Sequence, residues 1–185
     1  MMKVVRISQK DAILVLIDFQ KRLMPAMENR EGLAKSVIKL IKGCQILGVS
    51  WLITQQYTKG LGPTIPPIDE ALGNYSPIEK TSFSAMKEPA FVRALEETGK
   101  RTTIIAGIES HVCVLQTSLD LLQAGYHVFL PADCISSRRK SDKKYALLRM
   151  AQAGIYLTTY EAVLFELCGG SHLPGFKEIS ALVKA

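Results

Sequence analysis

Residues 102–130 read TTIIAGIESHVCVLQTSLDLLQAGYHVFL and contain a predicted strand, a helix and a second strand in succession. The apolar run 102–107 predicts a buried strand, and leucines recur at helical spacing in the segment after it. Gly125 lies where a left-handed helix cap would lead into the next apolar run, 127–131. Such a unit joins parallel strands through a right-handed crossover, which favours an α/β fold.

The same alternation of short apolar runs and amphipathic segments extends along the rest of the chain. Strands are predicted at residues 12–18, 50–54, 102–107, 127–131 and 155–159, with a sixth at 75–79 interrupted by Pro77. Helices are predicted at residues 31–47, 88–98, 111–124, 141–153, 160–168 and 175–183. Further helix-ending glycines are Gly48, Gly99 and Gly154. We expect a three-layer α/β/α sandwich, Rossmann-like, with about six mostly parallel strands in a single domain over residues 1–185.

The longest predicted irregular stretch is residues 55–74, QQYTKGLGPTIPPIDEALGN, which holds three prolines and three glycines. Loops of this length in a compact domain tend to be functional or mobile. We expect this one to gate a binding site or to form an exposed interaction surface.

Composition limits the classes of protein that fit. The 185 residues include 23 basic and 17 acidic ones, giving a net charge of +6. The densest basic cluster, SSRRKSDKKY at 136–145, is interrupted by Asp142 and has no interleaved aromatics, so a solvated helix start fits it better than a nucleic-acid patch. No run of eighteen apolar residues and no signal-peptide cleavage site are present. We expect a cytoplasmic protein without nucleic-acid or membrane partners.

Four cysteines are scattered widely, at positions 44, 113, 134 and 168. In a chain of ordinary size this distribution favours reduced thiols over a disulfide framework, and no CxxC pair suggests zinc.

Three chemically capable side chains follow apolar runs. Asp18 ends the first predicted strand, Lys80 follows the short run at 75–79, and Cys113 follows the strand at 102–107 by one turn. Ligands of open parallel sheets gather beyond the carboxyl ends of the strands. These three side chains therefore form a candidate nucleophilic triad.

Cys113 has a particular advantage at the start of a helix. The helix dipole and free backbone N–H groups there would lower the thiol pKa and hold an oxyanion formed by attack on a carbonyl. Each residue also has an ordinary interpretation. Asp18 could cap the next segment, Lys80 could be a surface lysine, and Cys113 a buried inert thiol.

Four blocks of sequence resemble one known family. They are IDFQ at 17–20, TQQYTKGLGPT at 54–64, EKTSFSA at 79–85 and AGIESHVCVLQTSLDLLQAGYHVFLPADC at 106–134. In this order they resemble the isochorismatase-like hydrolase superfamily of cysteine amidohydrolases. The resemblance spans essentially the whole chain and is greatest to the branch called isochorismatase domain-containing proteins.

The resemblance implies a role for each triad member. Asp18 would be the general base, Lys80 the cation that holds carboxylate and thiolate, and Cys113 the nucleophile. It also implies a cis peptide bond between Ile108 and Glu109, with the backbone N–H groups of Glu109 and Cys113 as the oxyanion hole. The implied activity is hydrolysis of a small amide or related C–N bond through a thioester.

Pocket walls and assembly are also implied by the resemblance. Leu23, Tyr57 and Phe83 stand at family-like offsets from the motifs and are candidate pocket residues, although an ordinary packing role fits each equally well. Members commonly assemble as dimers or rings, so a homo-oligomer is expected.

Departures from the family pattern narrow the chemistry. Nicotinamidases of this fold hold a metal with an Asp-x-His pair, but residues 55–110 contain no histidine. No metal and no cofactor are therefore expected. His111 is two residues from Cys113, where side chains on a turn do not face each other, so a Cys–His dyad is not expected. Enzymes that cleave isochorismate lack the cysteine, so the presence of Cys113 favours thiol chemistry over hydrolysis of a vinyl ether.

Two alternatives stay open. The chain could be a non-catalytic binding or scaffold protein that keeps the hydrolase fold. A nucleotide-binding Rossmann domain is a third reading, but the sequence lacks a GxGxxG or GxxxxGK[ST] loop.

Overall fold

The computed structural model describes residues 5–185 and contains one parallel sheet. Its strands are β1 (Ala12–Ile17), β2 (Trp51–Gln56), β3 (Ile78–Lys80), β4 (Thr102–Ile108), β5 (His127–Pro131), β6 (Ile135–Ser136) and β7 (Tyr156–Thr158). The strand order is β3-β2-β1-β4-β5-β7, and β6 pairs with the carboxyl end of β4. Every pairing between these strands is parallel.

Helices cover both faces of the sheet. They are α1 (Arg30–Ile46), α2 (Thr58–Leu61), α3 (Pro66–Leu72), α4 (Pro89–Glu97), α5 (Leu115–Gln123), α6 (Lys140–Ala153), α7 (Tyr160–Cys168) and α8 (Phe176–Lys184). A π-helical turn, Ser110–Val114, leads directly into α5. The four glycines expected to end helices all have positive φ, as predicted.

The apolar strands are buried because both faces of the sheet carry a hydrophobic core. All six residues of β1 are buried, and successive side chains alternate between two clusters. Leu14 and Leu16 pack in the cluster built with α1, α7 and α8, whereas Ile13 and Val15 pack in the cluster built with α4, α5 and α6. A strand buried on both faces reads as a continuous apolar run. The predicted three-layer α/β/α class is confirmed.

The expected long irregular stretch at 55–74 is wrong in part. It contains the end of β2 and two short helices, α2 and α3. Two prolines open α3, where a missing N–H and a fixed φ are tolerated. Gln20 fixes this segment, because its buried amide donates to the carbonyls of Gln56 and Gly62 and accepts from the Gln56 N–H.

Two strands differ most from the prediction. The edge strand β3 begins after Pro77, at Ile78, rather than at residue 75, because proline cannot donate to a ladder. The two-residue strand β6 was not predicted. No helix within residues 5–185 has the length and apolar character needed to span a bilayer.

The order in which strands are added to the sheet reverses between β1 and β4. From β1 the chain adds β2 and β3 on one side, and then β4, β5 and β7 on the other. Gly107 lies opposite Ile17 at the carboxyl end of this central pair. A Cβ atom on Gly107 would come within 2.5 Å of the Ile17 Cβ, so only glycine permits this approach. Such reversal points are where α/β sheets bind ligands.

Candidate active site

Asp18 is the first residue after β1 and is completely buried. Its backbone has φ 58°, a left-handed conformation that aspartate adopts more readily than most residues. The Thr54 hydroxyl donates to Asp18 Oδ1 at 2.8 Å. Asp18 Oδ2 lies 2.8 Å from Lys80 Nζ but has no aligned hydrogen-bond donor within the described residues. This oxygen is therefore held by charge and can accept a proton.

Lys80 ends β3 and is only 1% exposed, so the surface-lysine interpretation is wrong. Besides Asp18, its ammonium lies 2.6 Å from Gln56 Oε1, 3.0 Å from the Phe83 carbonyl and 3.2 Å from the Ser82 carbonyl. A buried ammonium is stable only when it is paired and hydrogen-bonded in this way. The Asp18–Lys80 pair is a fixed feature of the interior.

The turn that supplies those two carbonyls is itself held by Glu88. Its Oε1 accepts from the backbone N–H groups of Ser82, at 2.9 Å, and Thr81, at 3.0 Å. These bonds lower the pKa of Glu88, with the Ser82 N–H making the largest contribution.

Cys113 lies in the π-helical turn after β4 and is 7% exposed. The Asp18 carboxylate and the Lys80 ammonium both lie close enough to its thiol to shift the thiol pKa, so the structure brings the three predicted residues together. Burial is the largest effect on the thiol and, with the Asp18 carboxylate, raises its pKa to about 12, although the Lys80 ammonium lowers it. The predicted lowering of this pKa is wrong, because burial and a neighbouring carboxylate outweigh the helix start.

The turn before Cys113 begins at Glu109. The Ile108–Glu109 peptide bond is cis. The Glu109 carbonyl accepts from the N–H groups of Val112 and Val114, while its own N–H has no acceptor within residues 5–185. A free backbone donor near the sulfur can bind a developing oxyanion.

His111 does not form a dyad with Cys113. Its Nδ1 lies 2.9 Å from Ser137 Oγ, and its Nε2 lies 3.9 Å from Asp142 Oδ2. His127 opens β5, as the sequence predicts, and His172 lies between α7 and α8.

The three predicted pocket residues have different surroundings. Leu23 is half-buried and packs against the core cluster of α1. Tyr57 and Phe83 are 52% and 53% exposed. Both are joined to Lys80: the Tyr57 N–H donates to the Lys80 carbonyl, and the Phe83 carbonyl accepts from Lys80 Nζ. The backbones of Tyr57 and Phe83 therefore adjoin Lys80, and both aromatic side chains have much of their surface uncovered.

Sequence reasoning missed Thr54 and Gln56, which contact the Asp18–Lys80 pair directly. Both lie at the carboxyl end of β2, between the strands that carry Asp18 and Lys80. Polar residues at the end of an apolar strand were the available signal, but the predicted strand ended at Thr54, two residues before Gln56.

The cysteines are all free and buried.

Comparisons with known proteins agree on one family. The isochorismatase domain model matches residues 12–162. The isochorismatase domain-containing protein 2 of Danio rerio is 36% identical over 178 residues, which are 96% of this chain and 89% of that protein.

Two solved structures have closely similar folds. The MAR1 ribonuclease of Caenorhabditis elegans superposes with a TM-score of 0.91 at 38% identity, covering 98% of this chain and 93% of that one. YcaC of Pseudomonas aeruginosa, determined with hexane-2,5-diol and covalent acrylamide, has a TM-score of 0.91 at 25% identity, covering 100% and 96%.

Proposed function

Because the chain belongs to the isochorismatase family, as its motifs predict, we propose that it is a cysteine hydrolase of a small amide or related C–N bond. The observation that carries this proposal is the buried Asp18–Lys80 ion pair, 2.8 Å long, with the Cys113 thiol interacting with both partners. A buried ion pair beside a thiol of raised pKa, at the point where the strand order of a parallel sheet reverses, is typical of a catalytic site.

The first half-reaction forms a thioester. Asp18 takes the thiol proton as the Cys113 sulfur attacks the carbonyl carbon, and the electron pair of the C=O bond moves to oxygen. The intermediate collapses, the C–N bond breaks, and Asp18 gives its proton to the departing nitrogen. Lys80 keeps the carboxylate and the transient thiolate in place by charge.

The second half-reaction restores the enzyme. Asp18 takes a proton from water, the resulting hydroxide attacks the thioester, and the C–S bond breaks. The sulfur leaves as thiolate and recovers the proton from Asp18. The products are a carboxylic acid and an amine or ammonia, and no cofactor is needed.

The raised pKa of Cys113 is consistent with general base catalysis, in which the thiol loses its proton only as it attacks. A thiol with a pKa of about 12 is protonated at neutral pH, so it needs a base at the moment of attack. Asp18 Oδ2 is such a base, since no aligned donor within residues 5–185 occupies it.

The oxyanion would be held by the backbone N–H groups of Glu109 and Cys113. The free N–H of Glu109 supports this assignment. One donor of this type contributes about 3 kcal/mol to stabilising the transition state. Leu23, Tyr57 and Phe83 are the proposed pocket residues, and the exposure of the two aromatics supports that role for them.

The YcaC structure with covalent acrylamide supports a reactive nucleophile in this fold. Acrylamide is a small amide with an electrophilic carbon, and it reacts with thiols.

A screen of small amides against wild type and Cys113→Ala tests the proposal. We expect turnover by wild type only, with ammonia or amine release as the readout. Cys134→Ala is the matched control, since it removes another buried thiol and should retain activity. Equal rates from wild type and Cys113→Ala would exclude the cysteine hydrolase.

A second candidate is RNA hydrolysis. It is favoured by the name of the C. elegans relative, at 38% identity, and by the net charge of +6. Incubation of labelled RNA with wild type and Cys113→Ala distinguishes the two: cleavage by wild type would favour a nuclease over our prediction of no nucleic-acid partner. Inactivity of wild type in both assays would favour the non-catalytic scaffold.

Two further expectations stay predictions. Light scattering after size exclusion tests the homo-oligomer, and fractionation of cells that express the chain tests the cytoplasmic location.

A further inference from the structure

The Glu109 side chain makes contacts that the proposed reaction does not use. Its Oε2 accepts two hydrogen bonds from Arg138, at 3.1 Å from the backbone N–H and at 3.0 Å from Nε. The carboxylate side chain is 12% exposed, whereas that of Arg138 is 62% exposed. Hydrogen bonds with a charged donor and acceptor are stronger than neutral ones. Glu109 is therefore the more buried partner of this ion pair.

The segment that receives Glu109 is itself anchored. The Ser136 hydroxyl donates to the Glu28 carbonyl at 2.7 Å, and the Glu28 N–H donates to the Ser137 carbonyl at 3.1 Å. Ser136 also lies in β6, which pairs with β4. Glu109 is therefore tied to a fixed part of the fold.

A second contact ties the same turn from the other side of Ser110. His111 Nδ1 lies 2.9 Å from the buried Ser137 hydroxyl. Two side chains of the turn, one on each side of Ser110, thus bind neighbouring residues of one anchored segment.

The charge of Glu109 would oppose an oxyanion on its own backbone N–H. Like charges repel strongly where water is excluded. The Arg138 guanidinium offsets that charge, so the pair orients residue 109 without leaving a bare carboxylate near the reacting oxygen.

We propose that Glu109 is a positioning residue, whose carboxylate, bound to Arg138, orients the backbone N–H that stabilises the oxyanion. This inference rests on the proposed function, because it concerns the same oxyanion site.

Acrylamide is a probe that needs no knowledge of the substrate. The Cys113 sulfur bonds to the terminal alkene carbon, Asp18 takes the thiol proton, and the electron pair of the alkene moves onto the carbonyl oxygen as an enolate. The proton then returns to the α-carbon, which leaves a thioether. Iodomethane alkylates the same sulfur by displacement of iodide and creates no oxyanion. The ratio of the two rates, measured at the Cys113 peptide by mass spectrometry, isolates the oxyanion contribution.

We expect Glu109→Leu to slow acrylamide addition about tenfold and to change iodomethane alkylation less than about twofold, since misaligning a donor costs less than the 10²–10³ of removing it. Arg138→Met should slow acrylamide about threefold by leaving the carboxylate uncompensated. Adding Glu109→Gln to that variant should restore part of the rate. Arg139→Met removes an adjacent exposed arginine that makes no ion pair within residues 5–185, and should change neither rate.

Each outcome has a defined meaning. The first comparison is with glutathione. If the ratio of the acrylamide rate to the iodomethane rate is no higher for Cys113 of wild type than for glutathione, the oxyanion site itself is wrong, and so is the oxyanion-hole assignment in the proposed function. If wild type shows the preference and both variants keep it, the positioning role alone is wrong. Equal slowing with both reagents would mean a displaced sulfur and would also overturn the proposal. Should Glu109→Leu fail to fold, the exposed Arg138→Met variant and its double variant decide the question.

Discussion

Cys113 and Cys134 follow neighbouring strands of the sheet, β4 and β5, each after one short turn. Both thiols are buried, and burial is the largest cause of a raised pKa at both. Each also has an aspartate and a lysine close enough to affect its charge. The same three residue types therefore occur twice on one sheet.

The two groups differ in how they are arranged. At Cys113, Asp18 and Lys80 form a direct ion pair inside the protein, and the cysteine keeps a small exposed area. Its partners come from different strand ends.

At Cys134 the aspartate is the chain neighbour, Asp133, whose carboxylate accepts from the Tyr160 N–H. Lys143 is only half-buried and forms no ion pair with Asp133. The sulfur of Cys134 is sealed, with no exposed area. Under the proposed function, the comparison indicates that a reactive cysteine needs convergent partners and access to solvent, and not merely an acid and a base nearby.

Removing the aspartate carboxylate beside Cys113 or beside Cys134 should give the largest difference in reaction rate. Asp18→Asn should slow amide hydrolysis and acrylamide addition at Cys113 by about 10²–10⁴-fold, because general base catalysis is lost. Asp133→Asn should leave both rates within about twofold. The measurement is the initial rate of each variant at neutral pH. A loss of the same size in both variants would remove the distinction between the two groups.

Replacing the lysine beside Cys113 or the lysine beside Cys134 should change the free energy of unfolding by different amounts. Lys80→Met leaves the buried Asp18 carboxylate without its cation, so we expect a loss of about 3–5 kcal/mol in the free energy of unfolding. Lys143→Met, at a half-buried site, should cost less than about 1 kcal/mol. Urea denaturation followed by circular dichroism gives both values. Similar losses would mean that the two ion environments are equivalent.

The Thr54 hydroxyl offers a smaller test of the Cys113 group. Thr54→Val keeps the shape of the side chain but leaves Asp18 Oδ1 without its donor. We expect a cost of about 1–3 kcal/mol in the free energy of unfolding, because a buried acceptor loses its hydrogen bond. An unchanged denaturation midpoint would show that this bond does not hold the carboxylate.

Alkaline pH gives the smallest expected effect. The folded pKa of Cys113, about 12, lies above the ordinary thiol value of 9.0. Between these values the unfolded chain binds fewer protons than the folded one, so stability is full below pH 9 and falls as pH rises. One thiol contributes at most about 1.4 kcal/mol per pH unit. Unfolding of Cys113→Ser should show a shallower decline than wild type from pH 9 to 10.5, and equal slopes would contradict the raised pKa.

The fold follows from the sequence to within one or two residues for most strands, since continuous apolar runs and helix-ending glycines mark their limits. The exceptions have physical reasons. A two-residue strand such as β6 has no periodicity. The prolines and glycines around α2 and α3 conceal the helical pattern of a segment that Gln20 holds in place.

The candidate site was predictable in its members but not in its electrostatics. Strand ends and family motifs pointed to Asp18, Lys80 and Cys113. The pKa of the thiol depends on burial and on distances across the sheet, and the helix start alone indicated the opposite direction. Gln56 was missed because β2 extends two residues beyond the predicted strand, whereas Thr54 was the last residue of that predicted strand and carries no charge to single it out.

The pH dependence of acrylamide addition at Cys113 tests the central claim most directly. If Asp18 accepts the thiol proton during attack, the rate should change little between pH 7 and 9, because the thiol stays protonated over this range and transfers its proton directly to the carboxylate. If the sulfur instead reacts only after ionising on its own, with a pKa of about 12, the rate should rise about tenfold per pH unit over this range. A tenfold rise per unit would contradict base catalysis by Asp18.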